Sequence, residues 1–174
     1  QILGVHVMGE KTHRNLYEAF VGEAKAHFRL LAYAEKAEEE QLPQIATLFR
    51  AVAEAERIHT TRHLQLLGEV VVKDTETNLQ ASFQREEKAS GVFYPQFIRE
   101  AEEEGDQRAA ISFTHARDVE EGHAALYKRA LQHLLAETTS IYHVCQVCGY
   151  IAEGKAPERC PICNASQEQF RQVT

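Results

Sequence analysis

Two short motifs in this chain set an acid and an imidazole side by side. Glu56-x-x-His59 and Glu120-x-x-His123 each space the two groups by three residues, which puts them on one face of a helix. A lone glutamate precedes each motif, Glu23 by 33 residues and Glu86 by 34. Carboxylates are hard donors that bridge and neutralise cations, and imidazole adds nitrogen coordination. Four glutamates against two divalent ions leave a cluster near neutral, which makes its burial among apolar helices tolerable. A single Glu-x-x-His in a Glu-rich helix is most simply a surface coincidence. Two of them, each trailing a matching glutamate, read as a two-metal site.

A second set lies near the end of the chain. Cys145-x-x-Cys148-Gly149-Tyr150 and Cys160-Pro161-x-Cys163 are separated by 11 residues. Each Cys-x-x-Cys hooks around an ion and turns backbone N–H groups toward the sulfurs, giving four thiolates in a tetrahedron. Taken alone, this pattern favours zinc, and a purely structural zinc ribbon is the plain alternative. The segment has only about 34 residues, too few for a core of its own, so a metal must hold it together.

Helices must carry the first set. Between about Thr12 and Glu137 the chain is rich in Ala, Leu, Glu, Lys, Arg and Gln and poor in Gly and Pro. Pro43, Gly68 and Gly105-Asp106 divide it, and Thr138-Thr139-Ser140 forms a linker. The expected helices are 12–40, 43–68, 75–104 and 107–136, with Pro95 kinking the third. Four long helices joined by short turns imply an all-α four-helix bundle. The two hairpins repeat one another: Thr12-x-x-Asn15-Leu16 returns as Thr75-x-x-Asn78-Leu79, and Phe20 and Glu23 return as Phe83 and Glu86. Glu from each of two helices and Glu-x-x-His from the other two is the di-iron carboxylate pattern of ferritin-like bundles.

The bulk numbers narrow the partners. Apolar residues make up 44% of the 174, charged residues 26%, and the net charge is −7. That balance suits a soluble domain with a small satellite and argues against a nucleic-acid partner. No apolar run approaches a membrane span of about 18 residues. Gln1–Gly9 has neither a basic n-region nor a long apolar h-region, so no signal peptide is expected there. Cysteines in two close pairs then suggest a metal site in a reducing compartment rather than disulfides.

In order, Glu23, Glu56-x-x-His59, Glu86, Tyr94-Pro95, Glu120-x-x-His123, Cys-x-x-Cys-Gly-Tyr and Cys-Pro-x-Cys resemble the rubrerythrin family across about residues 10–174. The resemblance implies a ferritin-like di-iron domain over 10–138 and a rubredoxin-like four-cysteine iron domain over 139–174. It implies two iron ions held by Glu23, Glu56, His59, Glu86, Glu120 and His123, and one iron held by Cys145, Cys148, Cys160 and Cys163, with zinc a possible substitute. The implied activity is an NADH-linked peroxidase that reduces hydrogen peroxide to water, with Tyr94 or a bundle glutamate as proton donor. Electrons would come through the tail from a rubredoxin or an NADH-dependent reductase, in the cytoplasm, as a defence against oxidative stress.

One position departs from the family. A further glutamate usually lies one turn after the position of Glu86, where this chain has Ala89. Glu87 is adjacent but about 100° round the helix, a poor substitute. The remaining two-His, four-Glu set resembles ferritins, so iron oxidation and storage is the alternative function. A non-catalytic protein with a structural zinc tail is a third. His27 and His63 lie one turn from Glu23 and His59 and could approach the site. His6, His13, His115, His133 and His143 are expected at the surface, as are the runs Glu38–Glu40 and Glu102–Glu104.

Linker length bears on assembly. In ferritin-like bundles the second and third helices run parallel, so their connection must return about 30 Å along the bundle. Residues 69–74 reach only about 20 Å when extended. Exchange between two copies removes the conflict, and the family includes domain-swapped members. The expectation is a homodimer in which Glu23, Glu56 and His59 come from one chain and Glu86, Glu120 and His123 from its twin.

Overall fold

The computed structural model describes residues 8–68, 71–132 and 141–173. The chain divides into two compact units, Gln1–Lys73 and Asp74–Thr174. In the first, α1 (Glu10–Glu39) and α2 (Pro43–Leu67) form a helical hairpin. The turn closes because Gln41 takes a left-handed φ of 59°. The Leu42 N–H then donates to the Ala37 carbonyl at 2.8 Å and the Gln41 N–H to that of Glu38 at 2.9 Å. These bonds satisfy carbonyls that the helix end would otherwise orphan. Pro43 opens α2, where its missing N–H leaves no partner wanting.

Alanines form the hairpin seam. Ala34, Ala37, Ala46 and Ala53 are all buried, and such small side chains let two helix backbones approach closely. Phe49 packs against this seam, and its ring meets Tyr33 at 5.7 Å.

The second unit starts on a cap. Asp74 accepts from the Thr77 N–H at 2.9 Å and opens α3 (Thr75–Lys88). A single helix over 75–104 kinked by Pro95 was the expectation. Instead a π turn, Ala89–Phe93, separates α3 from α4 (Tyr94–Glu103). A proline removes an N–H and its ring collides with the carbonyl four residues back. The wider turn, with the Tyr94 N–H donating to Ala89, makes room for it. Gly105, with φ 77°, reverses the chain. Asp106 then accepts from Ala109 N–H at 3.0 Å at the start of α5 (Gln107–Gln132). The expected end of this helix near 136, and the linker at 138–140, fall outside the described residues. Tyr94, Phe97 and Phe113 join α4 to α5.

After the helices come three short strands, β1 (Tyr142–Cys145), β2 (Ile151–Glu153) and β3 (Phe170–Val173). They form an antiparallel sheet in the order β2-β1-β3, with Val144 opposite Ile151 and Cys145 opposite Phe170. The sheet brings the two cysteine hooks together. Among the described residues, no helix is long and apolar enough to cross a membrane.

Candidate metal centres

The α1–α2 hairpin gathers Glu23, Glu56 and His59, with donor atoms all within 4.8 Å of one another. Glu56 and His59 sit on successive turns of α2, and His59 Nδ1 is 2.9 Å from Glu56 Oε2. Glu23 reaches them from α1. A hydrogen bond with Glu56, then burial and the Glu56 charge, raise the Glu23 carboxyl above its ordinary range. Glu56 is correspondingly lowered, by that bond and by His59.

Unit two repeats the arrangement with Glu86 from α3 and Glu120 and His123 from α5. His123 Nδ1 is 2.8 Å from Glu120 Oε2. Burial and the neighbouring Glu120 raise the Glu86 carboxyl. Tyr94 is also raised, by burial and then by the Glu120 and Glu86 charges, so its phenol keeps its proton beside this triad. The six predicted bundle residues thus fall into two triads, one in each unit. Each offers two hard carboxylates and one imidazole nitrogen, which suits a divalent ion and leaves its coordination open.

Four sulfurs make the third cluster. Cys145 and Cys163 Sγ are 3.7 Å apart, and Cys148 and Cys160 Sγ 3.6 Å. No disulfide joins them. A tetrahedral ion with bonds of about 2.3 Å spaces its thiolates by about 3.8 Å. The four sulfurs therefore fit one ion. Burial raises the Cys148 and Cys163 thiols. Burial also opposes the Cys145 thiolate, but the Cys148 and Val147 N–H groups outweigh it and lower that thiol. The residue after each second cysteine, Gly149 or Asn164, takes a left-handed φ of 85° or 61° to close its hook.

Other residues are sorted by packing. His27 Nδ1 donates to the Ala53 carbonyl at 2.8 Å, and His63 Nδ1 is buried with no hydrogen-bond partner among the described residues. Neither belongs to the Glu23 triad. The expectation of surface positions for His13, His115 and His143 is corrected: all three are half-buried, because each sits on a packed helix face or strand. His6 and His133 lie outside the described residues. The runs Glu38–Glu40 and Glu102–Glu104 are exposed, and so is Glu87. Ala89 is half-buried at the head of the π turn. One partner had no functional signal in the sequence beyond its place in the hook: the Gly149 carbonyl lies 3.2 Å from His123 Nε2.

The Rubrerythrin family model matches residues 14–131, and the model for the rubrerythrin rubredoxin-like domain matches 143–171. Nigerythrin of Nitratidesulfovibrio vulgaris is 36% identical over 91% of this chain and 85% of its own length. Rubrerythrin-1 of Clostridium acetobutylicum is 33% identical over 93% of this chain and 94% of its own. A solved structure of nigerythrin in a partially reduced state superposes with a TM-score of 0.57 at 33% identity, covering 99% of this chain and 92% of that one.

Proposed function

The chain belongs to the rubrerythrin family, a ferritin-like four-helix class with a rubredoxin-like C-terminal domain, and we propose that it reduces hydrogen peroxide to water. The observation that carries this reading is the pairing, in one chain, of two Glu–Glu–His triads with a four-cysteine cluster. A one-electron site beside a two-metal site suits a reaction that needs two electrons at once and recovers them singly. The proposed ligands are Glu23, Glu56, His59, Glu86, Glu120 and His123 for two irons, and Cys145, Cys148, Cys160 and Cys163 for one. Bound iron would supply two electrons to the O–O bond, replenished through the four-cysteine site from a rubredoxin or an NADH-dependent reductase.

The chain's own groups do the rest. Four carboxylates balance two dications, and the two imidazoles complete the donor set. With two protons and two electrons the peroxide becomes two waters, and Tyr94 Oη, held protonated beside Glu86 and Glu120, is the nearby acid. The proposed domains are residues 10–138 and 139–174, the compartment is the cytoplasm, and the role is defence against oxidative stress.

The site is completed, in this proposal, by a second copy. Each triad has only three donors, and α1 and α2 leave Phe28, Leu48, Ile58 and Leu66 exposed in the single chain. Such apolar exposure marks a surface that another element covers. The short 69–74 connection favours exchange of hairpins between twins.

Iron-loaded protein with NADH and a suitable reductase should consume peroxide. Turnover no faster than that of free iron overturns the proposal. Ala89 gives the six-ligand set a ferritin-like symmetry, so iron oxidation and storage is the rival. A cage of about twenty subunits on size exclusion would favour it. Colour separates iron from zinc in the cysteine site, since ferric thiolate absorbs visible light and zinc thiolate does not.

A further inference from the structure

We propose that the Cys145–Cys148 hook holds His123 in its metal-binding form, so that the four-cysteine domain positions the helical metal site besides supplying it with electrons. This rests on the reading of Glu86, Glu120 and His123 as metal ligands. His123 Nε2 stands 3.2 Å from the carbonyl oxygen of Gly149. A carbonyl can only accept, so Nε2 must carry the hydrogen. In a neutral imidazole the other nitrogen, Nδ1, then has a free lone pair. That lone pair points at Glu120 Oε2, 2.8 Å away. Two acceptors at that separation need a cation, either a proton or a metal. The Gly149 bond therefore selects the tautomer that leaves Nδ1 open to a metal, a familiar use of the outer partner of a ligating histidine.

The direction of that carbonyl is set by the hook. The Gly149 N–H donates to the Cys145 carbonyl at 2.9 Å, and the Cys145 N–H donates to that of Tyr150, also at 2.9 Å. Gly149 itself is left-handed, with φ 85°. An ion on Cys145 and Cys148 would lock this loop, and with it the oxygen that His123 meets. Packing keeps the loop on α5. A Cβ at Gly149 would lie 3.8 Å from Val119 Cγ1, and Val119 is only 3% exposed. Farther along α5, Arg129 Nη2 donates to Glu153 Oε2 of β2 at 3.0 Å. The other motif has no such support. His59 makes the same bond to its glutamate, but its side chain is 53% exposed and, among the described residues, no carbonyl meets its second nitrogen.

The test uses full-length protein with zinc in the four-cysteine site and no metal in the helical site. Cobalt(II) is titrated in and its absorption read, away from the bands of a cobalt thiolate. Removal of an outer partner of a ligating histidine costs about 10–100-fold in affinity. Cys160→Ser/Cys163→Ser leaves Gly149 in place but removes the metal that locks its loop. Cobalt affinity at the helical site should fall about tenfold, with the helical circular dichroism unchanged. Equal affinity in the two proteins overturns the coupling. No cobalt binding in the unmodified protein overturns the ligand reading instead. A second measurement needs no variant: ¹⁵N NMR of the zinc-filled, otherwise metal-free protein should show a hydrogen on His123 Nε2, in the neutral Nε2–H tautomer or in the imidazolium whose second hydrogen faces Glu120. The Nδ1–H tautomer there overturns the proposal, even where the variant has lost its fold.

Discussion

His59 Nδ1 lies 2.9 Å from Oε2 of Glu56, the same approach that His123 makes to Glu120 at 2.8 Å. The duplicated motif thus yields a duplicated geometry, and each half can be disabled separately.

Glu56→Ala or Glu120→Ala should abolish two-metal occupancy while leaving the helical signal largely intact, since both residues occupy helix interiors where alanine is favoured. Metal analysis against circular dichroism checks this. Two irons retained in both variants would show that the ligands lie elsewhere.

Mixing those two variants tests hairpin exchange. Unfolded together and refolded, a swapped dimer can pair the intact first hairpin of one variant with the intact second unit of the other. About a quarter of the sites should then regain two metals. No recovery is expected if all six ligands of a site come from one chain.

Cys148→Ser should remove the visible thiolate absorption and stop NADH-driven turnover. Protein whose helical site has been reduced chemically should still react once with peroxide. Complete loss of that single reaction in protein that still holds both helical irons would mean that the cysteine domain takes part in the chemistry itself.

Ala89→Glu adds a carboxylate one turn from Glu86, at a half-buried position that opens the π turn. The oxidised-state spectrum or the peroxide rate should change. An unaltered spectrum and rate would show that residue 89 does not face the metals.

Metal binding should reverse a pH trend. Hydrogen bonding to Glu56 raises Glu23, and burial raises Glu86, so both bind protons more tightly folded than unfolded. Their contribution to metal-free stability is full below the ordinary carboxylate range and is lost as pH rises through the raised values. A divalent ion replaces those protons and binds better as pH rises. Thermal unfolding should therefore show a larger rise in Tm on adding iron(II) or cobalt(II) at pH 7 than at pH 4.5. An equal rise at both would contradict the carboxylate ligands.

The sequence alone carried what depends on local pattern. Helical composition, the breakers at Pro43 and Gly105, the repeated Glu and Glu-x-x-His spacing, and the paired Cys-x-x-Cys hooks were all legible. Each works through neighbours a few residues apart: i,i+3 places Glu56 and His59 on one face whatever surrounds them. Packing decided the rest. Pro95 announced a disturbance, but its resolution as a π turn at Ala89–Phe93 depends on how α3 and α4 meet α5. His13, His115 and His143 looked like surface residues because an isolated histidine carries no sign of the helix or strand face that half-covers it. The contact between Gly149 and His123 was the least visible, because it joins residues 26 apart. It is made by a backbone carbonyl, a group that every residue carries, and only the docking of the cysteine hook on α5 singles this one out.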